Sequence, residues 1–144
     1  MKTIRDMLKD KGGALWSIGP DATVFEALQL MAEKNIGAVL VMHEGRIVGI
    51  LSERDYARKV ILKGRSSSAT RVREIMTAKV LIVHTHNSVE ECMALMTSSR
   101  VRHLPVMDGD SLAGLLSIGD VVKAVIADQQ FMIEQLSAYI TGNR

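Results

Sequence analysis

The sequence predicts an α/β protein of the α+β type, built from two diverged copies of one β-α-β-β-α unit and a C-terminal helical extension. Three observations carry this prediction. The chain repeats itself at a fixed offset, each copy passes from helical apolar spacing to short continuous apolar runs, and turn residues separate those runs. A hydrophobic fraction of 47% with 24% charged residues is typical of globular proteins and argues against disorder.

The internal repeat decides the architecture, because sequence that stays in register over a long stretch indicates duplicated structure. Val24 aligns with Val89 and Asp55 with Asp120, both at an offset of 65 residues and without gaps between them. Upstream, residues 4–8 resemble residues 72–76 at an offset of 68, so the first copy carries three extra residues near Gly12. The predicted divisions are a first copy over 1–65, a linker over 66–71, a second copy over 72–128 and a helical extension over 129–144.

Both copies predict the same order of elements. Each begins with a short strand, continues with an amphipathic helix, and then has two apolar strands joined by a hairpin turn. We expect Pro20-Asp21 to open the first amphipathic helix and Asn87-Ser88 to cap the second. The predicted strands cover residues 14–18, 38–42 and 47–51 in the first copy, and 80–83, 104–107 and 112–116 in the second.

The last helix of the two copies differs in length. In the first copy it begins at Ser52 and ends near Lys63-Gly64, whereas in the second it begins at Ser117 and continues to about Ile140. Apolar residues continue at near-helical spacing along this extension, which leaves two alternatives, packing against the core of the same chain or against a partner. The residues of this stripe are Val125, Met132, Leu136, Tyr139 and Ile140.

One motif recurs where a strand meets the first turn of a helix in both copies. It reads Gly-x-x-Ser-x-x-Asp, at residues 49–55 and again at 114–120. Ser followed by an acid three residues later can be a capping box that closes the free amides of the helix. The same geometry can also bind a nucleotide, because a helix start offers N–H groups to phosphate and a carboxylate accepts from ribose hydroxyls. The residues alone leave both interpretations open.

The whole pattern resembles the CBS domain family, in particular a tandem CBS pair, or Bateman module. The resemblance is carried by residues 20–24, Met76-Thr77, residues 102–106 and the two Gly-x-x-Ser-x-x-Asp motifs, and it covers nearly the entire chain. It implies two CBS repeats packed with pseudo-twofold symmetry, with two clefts between them that commonly hold adenosine-containing ligands. It also implies association of such pairs into homodimers.

The resemblance further implies which residues bind the ligand. Asp55 and Asp120 match the ribose-binding carboxylates, with Ser52 and Ser117 near the phosphate or sugar. Residues 79–80 and 102–103 match the lining of the cleft that uses Asp120, and their small, uncharged counterparts in the first copy imply that the two clefts are not equivalent. Arg54 can bind a phosphate, and Gly119 allows close approach of a ligand. The predicted ligand-binding set is Ala14, Leu15, Gly37, Ala38, Ser52, Arg54, Asp55, Thr77, Lys79, Val80, Arg102, His103, Pro105, Ser117, Gly119 and Asp120.

From these residues we expect a regulatory sensor of adenosine nucleotides, with AMP favoured and NAD(H) or ATP as other ligands. Two alternatives remain, an S-adenosylmethionine sensor and a protein-interaction scaffold whose clefts are vestigial. The intact Asp55 and Asp120 favour the sensor over the scaffold. No effector domain is recognised in the sequence, so the output is expected to reach an unidentified effector protein.

Other classes of function are disfavoured by residues that the sequence lacks. No nucleophile or paired carboxylate accompanies Arg102-His103, so we expect neither an enzyme nor a catalytic cofactor. His84 and His86 have no third ligand at useful spacing, so no metal site is expected. A net charge of +2 argues against a nucleic-acid partner. The N-terminus shows no apolar signal segment and no run long enough for a membrane helix, and there is a single cysteine, Cys92, so a cytoplasmic location is expected.

Overall fold

The chain forms two compact units, each with its own three-stranded sheet. The structure is a computed structural model that describes residues 2–11 and 15–141. The first unit is Leu15–Leu81, and the second combines Met1–Ala14 with Ile82–Arg144. The mixed α/β class predicted from the repeat is confirmed. The boundaries of the units differ from those of the sequence copies, because the first segment of each copy belongs to the unit that holds the rest of the other copy.

The first unit contains a sheet in the order β1-β2-β3, with β1 parallel to β2 and β2 antiparallel to β3. Thr77 adds one antiparallel bridge to the edge of β3, through Ile50 N–H donating to the Thr77 carbonyl at 3.0 Å and Thr77 N–H donating to the Ile50 carbonyl at 2.9 Å. The elements are β1 (Ser17–Ile18), α2 (Val24–Lys34), β2 (Ala38–His43), β3 (Arg46–Ser52), α3 (Glu53–Tyr56), a π-helical turn (Ala57–Ile61) and α4 (Val72–Ile75).

The second unit repeats this arrangement with β4-β5-β6, where β4 is parallel to β5 and β5 antiparallel to β6. It differs at both ends, since a longer helix precedes it and its last helix continues far beyond the sheet. The elements are α1 (Ile4–Lys11), β4 (Val83–His84), α5 (Val89–Ser99), β5 (His103–Asp108), β6 (Ser111–Ser117) and α6 (Ile118–Thr141).

Local side-chain chemistry sets the helix starts. Thr23 caps α2, since its hydroxyl accepts from the Glu26 amide while the Glu26 side chain accepts from the Thr23 amide. The predicted start at Pro20-Asp21 is therefore wrong, because this capping box places the first helical residue at Val24. The predicted cap of the other amphipathic helix is confirmed, because Ser88 forms the same box with Glu91.

The first strand of each unit is shorter than predicted. Only Ser17 and Ile18 have partners in β2, and only Val83 and His84 have partners in β5. The predictions of strands over residues 14–18 and 80–83 were therefore too long, because an apolar run marks burial but pairing requires a neighbouring strand within reach. Ala14, at the start of the first of these predictions, lies outside the described residues.

Apolar faces predicted from helical spacing build the cores. Val24, Ala27 and Met31 are buried on one face of α2 and pack against the first sheet. In the second unit, Val89, Cys92 and Met96 take the corresponding positions on α5. Further buried residues of this unit lie on α1, β5, β6 and α6, namely Ile4, Met7, Leu104, Val106, Leu116 and Val121.

The distal half of α6 carries an apolar face that residues 2–11 and 15–141 leave exposed. Met132, Leu136 and Ile140 are 60%, 58% and 80% exposed, and Ile133 is 62% exposed. Of the two alternatives for the stripe, packing against the chain's own core is therefore wrong for these distal residues, whereas Val125 at the start of the stripe is partly buried.

Gly49 and Gly114 occupy equivalent positions in the two copies. Substituting each of them tests how tightly a neighbouring segment packs on the sheet, residues 76–77 at Gly49 and Leu8 at Gly114. A Cβ at Gly49 would lie 3.0 Å from the Thr77 carbonyl oxygen and 2.7 Å from Met76 Sδ, whereas at Gly114 it would meet only the end of the Leu8 side chain, at 2.7 Å. We predict that Gly49→Ala lowers the free energy of unfolding by roughly 1–3 kcal/mol and Gly114→Ala by less than about 1 kcal/mol. Denaturant titration of both variants measures the difference, and equal losses would contradict the packing described here.

Candidate functional site

Both Gly-x-x-Ser-x-x-Asp motifs form the same joint between strand and helix. The Ser52 hydroxyl accepts from the Asp55 amide at 3.1 Å, and Asp55 Oδ2 accepts from the Ser52 amide at 3.0 Å. At the second joint, the Asp120 amide donates to Ser117 Oγ at 3.2 Å and the Ser117 amide donates to Asp120 Oδ2 at 2.8 Å. The capping-box interpretation is therefore confirmed at both positions. It does not exclude the ribose interpretation, because each carboxylate has a second oxygen.

The second oxygen of Asp55 is already engaged within the first unit. Lys59 Nζ lies 3.2 Å from Asp55 Oδ1, one helical turn away, and the Thr77 hydroxyl donates to the same oxygen at 3.5 Å. Lys59 also donates to the Ile75 carbonyl at 2.9 Å, which fixes its ammonium beside the carboxylate. A ligand at Asp55 must therefore compete with two donors of the protein for Oδ1.

The Asp120 carboxylate has a different environment. Lys11 Nζ donates to Asp120 Oδ2 at 2.8 Å and to the Leu115 carbonyl at 2.6 Å. The Ser117 amide and Lys11 thus share Oδ2, and Oδ1 receives no hydrogen bond from the described part of the chain. The Asp120 side chain is 24% exposed.

The charge of Asp120 is held by these neighbours. Burial raises the pKa of the Asp120 carboxyl, but the hydrogen bond and charge of Lys11, together with the donors of Ser117, lower it by more. The pKa of Asp120 therefore lies below the ordinary value of an aspartate, and the group is an anion at neutral pH.

Strand pairing brings the predicted glycine and arginine positions to these joints. In the first unit, Ala38 pairs with Ser52, and the Gly37 carbonyl accepts from the amide of Glu53 at 3.0 Å. In the second unit, His103 pairs with Ser117, and the Arg102 carbonyl accepts from the amide of Ile118 at 2.8 Å. Each joint thus has the start of the middle strand beside it, with a charged Arg102 in one unit where the other has Gly37.

The remaining predicted residues differ in how exposed their side chains are. Arg54, Thr77, Lys79 and Gly119 are exposed, and Leu15 and Val80 are partly buried. Pro105 is buried, as is Ala38, so their side chains belong to the packed interior. Lys79 and Val80 lie in the unit of Asp55, whereas Arg102 and His103 lie in the unit of Asp120. Their grouping around one ligand remains a prediction.

Sequence reasoning missed the two lysines that contact the aspartates. Lys59 could have been predicted from the sequence, because a lysine four residues after an aspartate on a helix lies on the same face. No such signal existed for Lys11, since 109 positions separate it from Asp120. Only the packing of α1 within the second unit brings them together.

Several other groups are placed by the structure without forming a site. The His84 and His86 rings stack with centroids 5.5 Å apart, and in residues 2–11 and 15–141 no set of three potential ligands is assembled for a metal. Burial raises the pKa of the Cys92 thiol to about 11, so it is an apolar core residue at neutral pH. None of the helices described has the length and apolar character needed to cross a membrane.

Comparison with known proteins identifies relatives of both copies. The sequence matches the CBS domain family over residues 14–62 and 72–127. The mitochondrial CBS domain-containing protein CBSX3 of Arabidopsis thaliana is 41% identical over 150 residues, covering 97% of this chain and 72% of that protein. A solved structure of a protein with CBS domains from Burkholderia ambifaria is 56% identical, with a TM-score of 0.85, covering 89% of this chain and 96% of that one. The two matched stretches lie within the two predicted copies, and the first match begins 13 residues after the predicted start of the first copy.

A more distant solved structure shares the fold. It is a CBS domain pair in complex with 5′-methylthioadenosine and S-adenosyl-L-methionine, 21% identical, with a TM-score of 0.78. The likeness covers 89% of this chain and 98% of that one. At this identity the likeness concerns the fold alone.

The Asp120–Lys11 contact predicts a specific dependence of stability on pH. Because the pKa of Asp120 is lowered by folding, its stabilisation is complete above the pKa of an unfolded aspartate, about 3.9, and is lost as the pH falls through the lower folded value. Asp120→Asn should therefore be less stable than the natural chain at pH 7 by about 1 kcal/mol, and this difference should shrink below pH 4. Urea unfolding at pH 7 and pH 3 measures it, with Glu134→Gln on the same helix as the control. A difference that is the same at both pH values would contradict the assigned ion pair.

Proposed function

Because the chain belongs to the CBS domain family, we propose that it is a regulatory module that binds an adenosine nucleotide through Asp120 and, more weakly, through Asp55. The observation that carries the proposal is the state of Asp120. Its carboxylate is ionised, anchored through Oδ2 by Ser117 and Lys11, and has Oδ1 without a hydrogen bond from the described residues. A fixed anionic acceptor of this kind suits the paired hydroxyls of a ribose.

The favoured ligand is AMP, with NAD(H) and ATP as further adenosine ligands of the same site. A mononucleotide requires cations near its phosphate, and Arg102, His103 and Lys79 are the residues that the family resemblance assigns to this role. The CBS pair that holds 5′-methylthioadenosine and S-adenosyl-L-methionine supports an adenosine-containing ligand in general, since it shows that this fold can hold one. An S-adenosylmethionine sensor is therefore the alternative that a binding test must distinguish.

The two sites are proposed to differ in affinity because their carboxylates differ in free acceptors. Asp55 Oδ1 already receives Lys59 and the Thr77 hydroxyl, whereas Asp120 Oδ1 receives neither. A ribose hydroxyl at Asp55 has to displace an existing donor, which reduces the net gain from the new hydrogen bond. The joint at Asp120 should therefore be the tighter site.

Binding without conversion of the ligand is the proposed activity. The described residues around the two joints supply carboxylates, hydroxyls and ammonium groups that hold a ligand, and the buried thiol of Cys92 has its pKa raised to about 11, which leaves it unsuited to act as a nucleophile. Ligand binding is proposed to be passed to an effector on another chain. The single buried cysteine fits a reducing cytoplasm, where we place the protein.

Self-association is proposed to run through α6. Its distal half exposes Met132, Ile133, Leu136 and Ile140 within about two and a half turns, and neighbouring exposed apolar side chains are typical of a surface that binds another protein. A second copy supplies an identical apolar strip, so pairing of two α6 helices buries both at once. We propose a homodimer formed in this way.

Substitution of each aspartate by asparagine distinguishes a role in ribose binding from a role in helix capping alone. We predict that Asp120→Asn weakens AMP binding by roughly tenfold or more, since it removes a charge-assisted hydrogen bond, and that Asp55→Asn causes a smaller loss. Calorimetry with AMP, ATP, NADH and S-adenosylmethionine measures both variants against the natural chain. Circular dichroism confirms that each variant is folded.

Two outcomes of this calorimetry would change the proposal. If AMP affinity is unchanged in both folded variants, the motif is only a capping box and the proposal fails. If S-adenosylmethionine binds and AMP does not, the site is an adenosine site of the alternative kind.

The dimer is tested by charge placed on the exposed face of α6. In light scattering at micromolar concentration we predict twice the chain mass of 15.8 kDa for the natural sequence. Leu136→Glu should return the mass to that of one chain, because burying the new carboxylate against the partner helix is costly. Gln135→Glu, which adds the same charge beside the stripe, is the control and should remain dimeric. A monomeric natural chain, or a dimeric Leu136→Glu variant, would contradict this interface.

A further inference from the structure

An ammonium group of the protein itself contacts the Asp55 carboxylate. Lys59 Nζ lies 3.2 Å from Asp55 Oδ1 and donates to the Ile75 carbonyl at 2.9 Å. We call this pair of contacts the Lys59 bridge. It joins the helix start after β3 to the end of α4, because Ile75 is the last residue of α4. The bridge thus places a cation on the Asp55 oxygen that the helix cap does not use.

The two members of this ion pair differ in how freely they can move. The Asp55 side chain is 14% exposed, against 24% for Asp120, whereas the Lys59 side chain is 44% exposed. A lysine that is nearly half exposed can turn its ammonium into water at small cost. The Asp55 carboxylate is held in place, because its Oδ2 accepts from the Ser52 amide at 3.0 Å. Lys59 is therefore the movable member of the pair.

The second copy cannot form this bridge. At the offset of 65 residues, Lys59 aligns with Ala124, which is uncharged and buried. The helices also differ, since Lys59 lies in the π-helical turn Ala57–Ile61, whereas the equivalent residues of the second copy belong to the continuous helix α6. Turns of this kind are rare and frequently occur at functional sites. The bridge and the turn that carries it are thus particular to the first unit.

We infer that Lys59 is an internal competitor of the ligand at Asp55, and that a ribose binds there only when the Lys59 bridge opens. This inference rests on the proposed nucleotide-binding function and adds its regulation at this site. A carboxylate oxygen offers about two acceptor positions, and Asp55 Oδ1 already receives the Lys59 ammonium and the Thr77 hydroxyl. A ribose hydroxyl therefore has to take the place of a donor. Displacing Lys59 also frees the Ile75 carbonyl, so occupancy of Asp55 is coupled to how α4 is held.

Adenosine titrated into an Asp120→Asn chain tests the bridge. This background weakens the other proposed site, and adenosine carries no phosphate, so removal of a cation does not weaken a charge attraction to the ligand. We predict that adding Lys59→Met raises the affinity for adenosine by roughly two- to fivefold, the competition expected from a partly exposed ion pair. Calorimetry measures the affinity, and circular dichroism confirms that each chain is folded.

Three further chains, made in the same background, are the controls. Lys59→Arg keeps a cation beside Asp55 and should show no gain in affinity. Lys63→Met removes the same charge from an exposed position beyond the π-helical turn and should show no gain either. Adding Asp55→Asn to Lys59→Met should abolish the gain, because the competition requires the carboxylate.

The possible outcomes separate this inference from the proposed function. If Lys59→Met gives no gain, if Lys63→Met gives an equal one, or if the gain survives Asp55→Asn, the internal competitor is refuted while nucleotide binding stands. If neither the natural chain nor its Lys59→Met variant binds adenosine or AMP, the proposed function fails and the inference fails with it. If only chains with Lys59→Met bind, and Asp55→Asn removes that binding, the competitor is confirmed and the proposed tighter site at Asp120 is refuted.

Discussion

The carboxylate in the first turn of the second helix is the group on which each site depends. In both units it closes the helix start by accepting from the serine amide three residues earlier, so its position is set by backbone hydrogen bonds rather than by a flexible side chain alone. A group held in this way can be both a structural cap and a ligand acceptor, because a carboxylate has two oxygens. The cap uses Oδ2 at Asp55 and again at Asp120. The donors that bind Oδ1 therefore decide whether this oxygen can accept a hydrogen bond from a ligand.

The short segment at the start of each copy, α1 or α4, determines which further donors reach the aspartate of the unit in which that segment packs. In the first unit, α4 and the bridge at Thr77 bring a hydroxyl to Asp55, and the Ile75 carbonyl holds Lys59 beside it. In the second unit the corresponding segment stays helical as α1, and its last residue, Lys11, reaches Asp120 instead. Duplicated sequence has thus produced two joints with the same cap and different cations.

This difference explains how one repeat can become specialised while the other keeps the fold. The continuation of α1 opposite α6 creates a groove next to Asp120, lined by charged residues of both signs. Farther along α6, the helix leaves its own sheet and presents apolar side chains to solvent, which one chain alone does not cover. One helix therefore carries the proposed ligand carboxylate at its start and the proposed dimer contact at its end.

Short-range patterns in the sequence predicted the parts of the protein that depend on neighbouring residues. The repeat, the two apolar strands of each copy, the capping serines at 52, 88 and 117 and the long extension of α6 all follow from spacing, because turns, caps and amphipathic faces are decided within a few residues. The start of α2 was misplaced because two capping signals stood close together, Pro20-Asp21 and Thr23, and the structure uses the second.

Only the tertiary structure decided what surrounds the two aspartates. The sequence identified Asp55 and Asp120 as equivalents, and nothing local distinguished their environments. The packing of α1 with the second repeat brought Lys11 across 109 positions to Asp120, and the packing of α4 brought Thr77 to Asp55. Contacts of this kind arise from which face of a helix is buried against which sheet, a choice that maximises burial over the whole unit. The sequence by itself therefore determined the duplicated fold and its candidate carboxylates, while the structure determined which lysine and which hydroxyl lie beside each carboxylate.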